Sequence, residues 1–114
     1  MKDHLKKLAI GTAQFGMNYG IANTNGKIKQ SQIDLILKLA SKNGIFTLDT
    51  AKCYGDSETN IGKFLKRTNL KWDIVTKITD LNVDLIEQFW DSEKKLSVQP
   101  SIILAHSIDI FLSP

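Results

Sequence analysis

Three short apolar runs recur along this chain at nearly constant spacing. They begin at Ile45, Asp73 and Ile102, which are 28 and 29 residues apart. None has the polar/apolar alternation of a half-exposed strand, as expected of strands covered on both faces. Helix-spaced apolar residues fill the intervals, and the repeat matches a βαβ unit of about 30 residues. Parallel strands linked by helices are therefore the dominant constraint on the fold.

The remaining elements follow from local signals. Leu5 to Gly11 reads as a first strand. A Gly- and Asn-rich stretch from Thr12 to Lys29 follows, holding Gly16, Asn18, Gly20, Asn23, Asn25 and Gly26. It is long for a connection and reads as a functional loop or a small hairpin. A first helix is expected near Ser31, where Ser31 and Asp34 resemble a capping box. Ile33, Ile36, Leu37 and Ala40 then recur at helical spacing, and Asn43-Gly44 gives a stop. The second strand is Ile45 to Asp49. Asp56-Ser57-Glu58 can cap a second helix with Ile61, Phe64 and Leu65 on one face. The third strand is Asp73 to Lys77. A third helix is expected to start at Asp80 or Asn82 and to bury Ile86, Phe89 and Trp90. Pro100-Ser101 introduces a fourth strand, Ile102 to His106, and Ser107 to Pro114 reads as a loop.

No linker or low-complexity segment divides the 114 residues, so residues 1–114 read as a single domain of four parallel strands and three helices. Two α/β architectures fit. One is an open doubly wound sheet; the other is half of a (β/α)8 barrel, which needs about 250 residues in full. A dinucleotide-binding Rossmann domain is disfavoured. Its G-x-G-x-x-G turn is absent, and the sequence there is Gly11-Thr12-Ala13-Gln14-Phe15-Gly16.

The bulk numbers exclude several classes. With 42% hydrophobic and 24% charged residues the composition is that of an ordinary globular domain. The net charge of +3 comes from dispersed lysines, so no basic stripe points to nucleic acid. Lys2, Lys6 and Lys7 read as a solvated cluster. A lone Cys53 excludes an internal disulfide and suits a reducing compartment. It reads as a small packed side chain rather than a reactive thiol. Leu8-Ala9-Ile10 is too short for a signal-peptide core, and no apolar run approaches a membrane span. The expected location is the cytoplasm.

The candidate chemistry lies where the strands end. Asp49, Lys77 and His106 close the second, third and fourth strands, and Tyr54 follows Asp49 by five residues. The carboxyl ends of parallel strands are where α/β folds carry their sites. Taken singly, Asp49 can cap a turn, Tyr54 can pack in a loop, Lys77 can reach solvent and His106 can sit satisfied in a loop. Three adjacent strands that each end in a titratable residue are harder to assign to packing. A tyrosine hydroxyl is a poor acid near neutral pH, and a nearby ammonium stabilises its phenolate. Lys77 can supply that ammonium, with Asp49 as its partner. His106 can hydrogen-bond a carbonyl oxygen held by Tyr54. Such a set protonates a carbonyl oxygen while another group delivers hydride to the carbon. A metal site built on Asp49 and His106 is the competing reading. It is weakened by Lys77 between them and by the absence of a His-x-His pair. Phosphate binding at Asp56-Ser57-Glu58 is opposed by its own acidic flanks.

The segment from Leu48 to Glu58, Leu-Asp-Thr-Ala-Lys-Cys-Tyr-Gly-Asp-Ser-Glu, resembles the signature of the aldo-keto reductase family. Val75-Thr76-Lys77, Leu104-Ala105-His106-Ser107 and Gly11 to Gly16 resemble further motifs of that family in the same order. The resemblance implies the N-terminal half of a TIM (β/α)8 barrel. It implies NADPH as cofactor, with a small-molecule aldehyde, ketone or alcohol as substrate. It assigns Tyr54 as general acid, Lys77 and Asp49 as the pair that tunes it, and His106 as the carbonyl orienter. Gly11, Thr12 and Asp49 would lie at the nicotinamide end of the cofactor, and no metal is implied.

Departures from the family pattern set further expectations. Few residues precede the first strand, leaving little room for the hairpin that plugs many such barrels. The segment just after His106, Ser107-Ile108-Asp109-Ile110, lacks the Pro common there. The family's main cofactor contacts lie on later strands, whereas this chain stops at Pro114. A truncated reductase with little activity alone is therefore expected. The alternatives are a non-enzymatic half-barrel that self-associates through open sheet edges or binds a partner, and a metal-dependent barrel hydrolase fragment. Phe15, Tyr19 and Trp90 are the apolar groups considered for substrate contact, with Tyr19 reading as loop packing and Trp90 as helix packing.

Overall fold

The computed structural model describes residues 2–18, 26–79 and 83–112. Its elements are α1 (Lys2–Leu5), β1 (Ile10–Gly11), a 3-10 turn (Ala13–Phe15), α2 (Gln30–Lys42) and β2 (Thr47–Asp49). They continue with α3 (Ser57–Leu65), β3 (Asp73–Ile78), α4 (Leu85–Leu96), β4 (Ile102–Ala105) and α5 (Asp109–Leu112). Among the described residues the four strands form one sheet in the order β1-β2-β3-β4, with every neighbouring pair parallel. This is the expected β-α-β-α-β-α-β arrangement, with β1 and β4 as its edges.

Strand alternation gives the sheet two different faces. Leu48, Ile74, Thr76 and Ile78 are buried. They point toward the helix layer, where Leu48 and Ile74 join Ile33, Leu37 and Ala40 of α2, Ile61, Phe64 and Leu65 of α3, and Leu96 of α4 in one core cluster. Asp49, Val75 and Lys77 alternate with them and so occupy the opposite face. In register, Asp49 lies beside Val75 and Val75 beside Ile102, while Lys77 lies beside Leu104. Ile102 and Leu104 therefore share the face of the charged residues, and both are exposed. Trp72 seals one end of the core with edge-on contacts to Phe46 and Phe64, at 5.2 and 6.0 Å between ring centroids. Such pairs add about 0.5–1.5 kcal/mol beyond the area they bury.

Several element boundaries differ from the sequence expectation. The first strand pairs only over Ile10–Gly11, because β2 offers it Leu48 and Asp49 alone; Leu8 is exposed. Helix α2 begins at Gln30, not Ser31. Asp34 cannot serve a Ser31 capping box because Gln30 and Arg67 donate to its carboxylate, at 3.0 and 2.7 Å. Instead the Gln32 side chain accepts from the Lys29 N–H at 3.4 Å. The C-terminal stop is as expected, with Gly44 in the left-handed region at φ 84°.

Helix α4 begins at Leu85, capped by Asp84, whose carboxylate accepts from Ile86 N–H and Glu87 N–H. Asp80 and Asn82, the expected starts, lie outside the described residues, as do Tyr19, Gly20, Asn23, Asn25 and Pro114. The buried stripe of α4 is Gln88, Ser92 and Leu96. Ile86 and Trp90 are exposed, contrary to expectation. Close packing against α3 is made possible by Gly62 on that helix. A Cβ on Gly62 would fall 2.0 Å from the Lys95 carbonyl oxygen, so the two helices approach nearly backbone to backbone. The tail expected as loop contains the short helix α5.

Ile74 is fully buried at the centre of the core. Ile74→Ala is expected to cost about 2–5 kcal/mol, read as a lower urea midpoint with an unchanged m-value.

Candidate active site

The ends of β2 and β3 bring three of the four candidate residues together. Lys77 lies on the same face as Asp49 and its ammonium turns back along the sheet. Its Nζ donates to Asp49 Oδ1 at 2.8 Å and to the Thr50 carbonyl at 2.7 Å. The Lys77 side chain is only 14% exposed, so these partners offset much of the hydration it loses. The same Nζ stands over the Tyr54 ring, 5.3 Å from its centroid. That is within cation–π range.

Tyr54 is placed by the backbone that follows β2. The chain keeps bonding to β3 beyond the strand, from Thr50 N–H to the Val75 carbonyl at 2.8 Å and from Lys52 N–H to the Lys77 carbonyl at 3.2 Å. It then turns at Gly55, φ 55°, a conformation open to glycine at little cost. Ser57 N–H closes the turn on the Tyr54 carbonyl at 3.0 Å. Gly16 lies directly beneath. A Cβ there would fall 1.9 Å from the Tyr54 carbonyl oxygen and 2.2 Å from the Ser57 nitrogen.

Buried hydroxyls tie these loops to the strand ends. Thr12 Oγ1 donates to the Asp49 carbonyl at 2.9 Å. Ser57 Oγ lies 3.0 Å from Thr12 O, Thr12 Oγ1 and Thr50 Oγ1. Asn60 Nδ2 donates to the Phe15 carbonyl at 2.7 Å. Phe15 is therefore a core residue beneath the loop, not a substrate contact. On the far side, Lys52 is ion-paired with Asp91 of α4, and Lys95 reaches the same carboxylate at 2.9 Å. The Lys52 hydrogen bond holds the Asp91 carboxyl below its ordinary value, opposed by desolvation and reinforced by Lys95.

His106 is set apart from the other three. Its N–H extends the β4 ladder to the Ile78 carbonyl at 3.0 Å. Its exposed ring places Nδ1 3.8 Å from Cys53 Sγ. Cys53 is exposed, which corrects its reading as a packed side chain. No base stands near Cys53 along the chain, because His106 is 53 positions away and arrives only through the sheet. The Lys52–Asp91 pair carried no sequence signal; Gln14, Gly16 and Ser57 stood in the Gly11–Gly16 and Asp56–Glu58 motifs, but with no role beside Tyr54 assigned to them.

A cleft of about 250 Å³ opens at these strand ends, lined by Gly11, Thr12, Ala13, Gln14, Asp49 and Tyr54. It contains all three residues expected at the nicotinamide end of a cofactor. A Cβ at Gly11 would meet nothing within 4 Å, so the wall is open there to a flat ring. Among the described residues no three His, Cys, Asp or Glu side chains gather as a metal site, and Asp49 is occupied by Lys77.

The model of the aldo/keto reductase family matches residues 7–109. Among solved structures, an aldo-keto reductase assignment from Pseudomonas aeruginosa superposes with a TM-score of 0.75 at 28% identity. That match covers 90% of this chain and 45% of the other. A second from the same organism gives 0.71 at 26% identity, over 90% and 44%. A structure assigned as a 2,5-diketo-D-gluconic acid reductase B gives 0.63 at 21% identity, over 86% and 32%; at that identity it supports the fold alone. The chain thus spans less than half the length of each of these three structures. No curated protein matches it.

Gly16→Ala is expected to cost about 1–3 kcal/mol through forced displacement of the Tyr54 turn, with amide chemical-shift changes concentrated at Tyr54 and Ser57. The lowered Asp91 value means that its ion pairs stabilise the fold above the ordinary aspartate value of 3.8 and lose that effect as pH falls through the folded value. Asp91→Asn should therefore lower the urea midpoint at pH 7, and its difference from the parent should vanish on acidification below that range.

Proposed function

The chain belongs to the aldo/keto reductase family, and on that premise we propose that its strand-end cleft serves NADPH-dependent interconversion of carbonyl and alcohol groups. One observation carries this reading: the Lys77 ammonium is fixed at once by Asp49 and over Tyr54, beside a cleft bordered by Gly11 and Thr12. Gly11, Thr12 and Asp49 would hold the nicotinamide end of the cofactor, which when bound supplies hydride to the carbonyl carbon.

The chain's own residues handle the proton and the orientation. The Tyr54 hydroxyl donates its proton to the carbonyl oxygen in reduction and takes one back in alcohol oxidation. Lys77, held in place by Asp49 and the Thr50 carbonyl, offers positive charge to the phenolate that results. His106 orients the carbonyl from the β4 side. The substrate is a small aldehyde, ketone or alcohol. An exposed Cys53 thiol suits the reducing cytoplasm. Among the described residues no helix is long and apolar enough to cross a membrane.

Residues 1–114 are read as one part of a reductase domain. The cleft they build takes one end of a dinucleotide, so the 114 residues on their own should bind NADPH weakly and turn over slowly. Nothing in the geometry favours the metal-dependent hydrolase reading.

The test is NADPH oxidation with a panel of simple aldehydes, together with NADPH fluorescence titration. Tyr54→Phe should lower turnover by about 10²–10⁴-fold while leaving NADPH fluorescence quenching unchanged. Turnover equal to that of the parent would remove Tyr54 from this role.

A further inference from the structure

The Cys53 thiol is a nucleophile that proton and hydride transfer leave without a task. It does not stand alone. Its Sγ lies 3.8 Å from His106 Nδ1, within hydrogen-bond reach for sulfur, so a nucleophile and a base are paired at the strand ends. Such a pair is the geometric signature of an activated nucleophile. As the only cysteine of the chain, Cys53 has no internal disulfide partner to compete for it.

Backbone bonds fix both partners. On one side of Cys53, Lys52 N–H donates to the Lys77 carbonyl at 3.2 Å and the Lys52 side chain is ion-paired with Asp91. On the other, Tyr54 N–H donates to the Ala51 carbonyl at 3.1 Å. Opposite them, His106 N–H donates to the Ile78 carbonyl at 3.0 Å. The sheet therefore sets this contact, not the local chain. Both residues are exposed, so a small solute reaches the sulfur without opening the fold. Lys52 and Lys77 carry ammonium groups, which donate and cannot accept a proton. The imidazole is the group placed to take the proton of the thiol.

We propose that Cys53 and His106 form a covalent modification site for α,β-unsaturated carbonyl compounds. The thiolate, not the thiol, is the nucleophile, and an adjacent base generates it. His106 takes the thiol proton at Nδ1, in the tautomer that leaves this nitrogen free to accept. The sulfur bonds to the β-carbon, and the π pair of the carbon–carbon double bond shifts to give an enolate. The imidazolium returns its proton to the α-carbon. The product is a thioether that holds every atom of both reactants, with no net oxidation or reduction. Addition of this kind needs no oxidant and no cofactor, and a soft thiolate takes the conjugated β-carbon in preference to lysine amines. Tyr54, the next residue, lines the strand-end cleft, so the adduct lies one residue from that wall. The inference does not depend on the reductase reading.

The test uses N-ethylmaleimide as the conjugated carbonyl probe and follows its addition by intact mass. The comparison is a synthetic peptide of residues 50–56, which keeps Lys52 and Tyr54 beside the thiol but lacks His106. The 114-residue chain should take up a single adduct, mapped to Cys53, on the order of 10-fold faster than the peptide. Cys53→Ser should take up none over the same period. His106→Asn should react at the rate of the peptide, with the urea midpoint of the parent, since the ring it replaces is exposed. A chain that reacts no faster than the peptide, an adduct that persists in Cys53→Ser, or a folded His106→Asn chain that keeps the parent rate would each overturn the proposal. Where His106→Asn loses its structure, the ratio of parent to peptide decides alone.

Discussion

An ammonium held at 14% exposure at the end of a parallel strand must have partners, and the arrangement around Lys77 follows from that requirement. Asp49 can supply one because the parallel register sets the two side chains on one face of neighbouring strands, Asp49 beside Val75 and Lys77 two residues on. The Thr50 carbonyl supplies the other because the chain keeps bonding to β3 after β2 ends. Once these bonds form, the loop leaving β2 has a fixed direction. Tyr54 then falls beneath the ammonium. The ion pair thus links sheet register to the position of the candidate acid.

The helix layer provides the rigidity behind this. The fully buried side chains Ile33, Leu37, Leu48, Ile61 and Ile74 lie on the far side of the sheet from the cleft. Each is worth about 1.5–3 kcal/mol by burial. The polar face can therefore carry charge, open space at Gly11 and an exposed Cys53–His106 contact while the apolar face maintains the fold. Glycine close to backbone recurs where elements must nearly touch, at Gly16 under the Tyr54 turn and at Gly62 between α3 and α4.

Much of this was legible in the sequence because strand spacing and strand-end chemistry are local signals. The intervals from Ile45 to Asp73 to Ile102 gave the parallel order, and Asp49, Tyr54 and Lys77 meet as their positions implied. The failures have tertiary causes. Ser31 and Asp34 looked like a cap, but Arg67 from the turn after α3 claims Asp34. Ile86 and Trp90 have helical periodicity, yet the close approach at Gly62 favours Ser92 and Gln88 on the inner face. Cys53 met its imidazole neighbour only through β4, which no short-range pattern encodes. The hydroxyl cluster was equally invisible, since threonines and serines are common in loops.

That cluster has a definite proton order. Thr12 commits its hydroxyl proton to the Asp49 carbonyl, so it can only accept from Ser57. Ser57, with its single proton directed at Thr12, must in turn accept from Thr50. The three hydroxyl dipoles therefore run in one sense, from Thr50 through Ser57 and Thr12 to the strand end at Asp49. Each bond polarises the next, and none of these rotors can reverse without the others. The backbone beneath Asp49 is thereby held by a one-way chain sheltered from solvent, whose protons should exchange slowly with water.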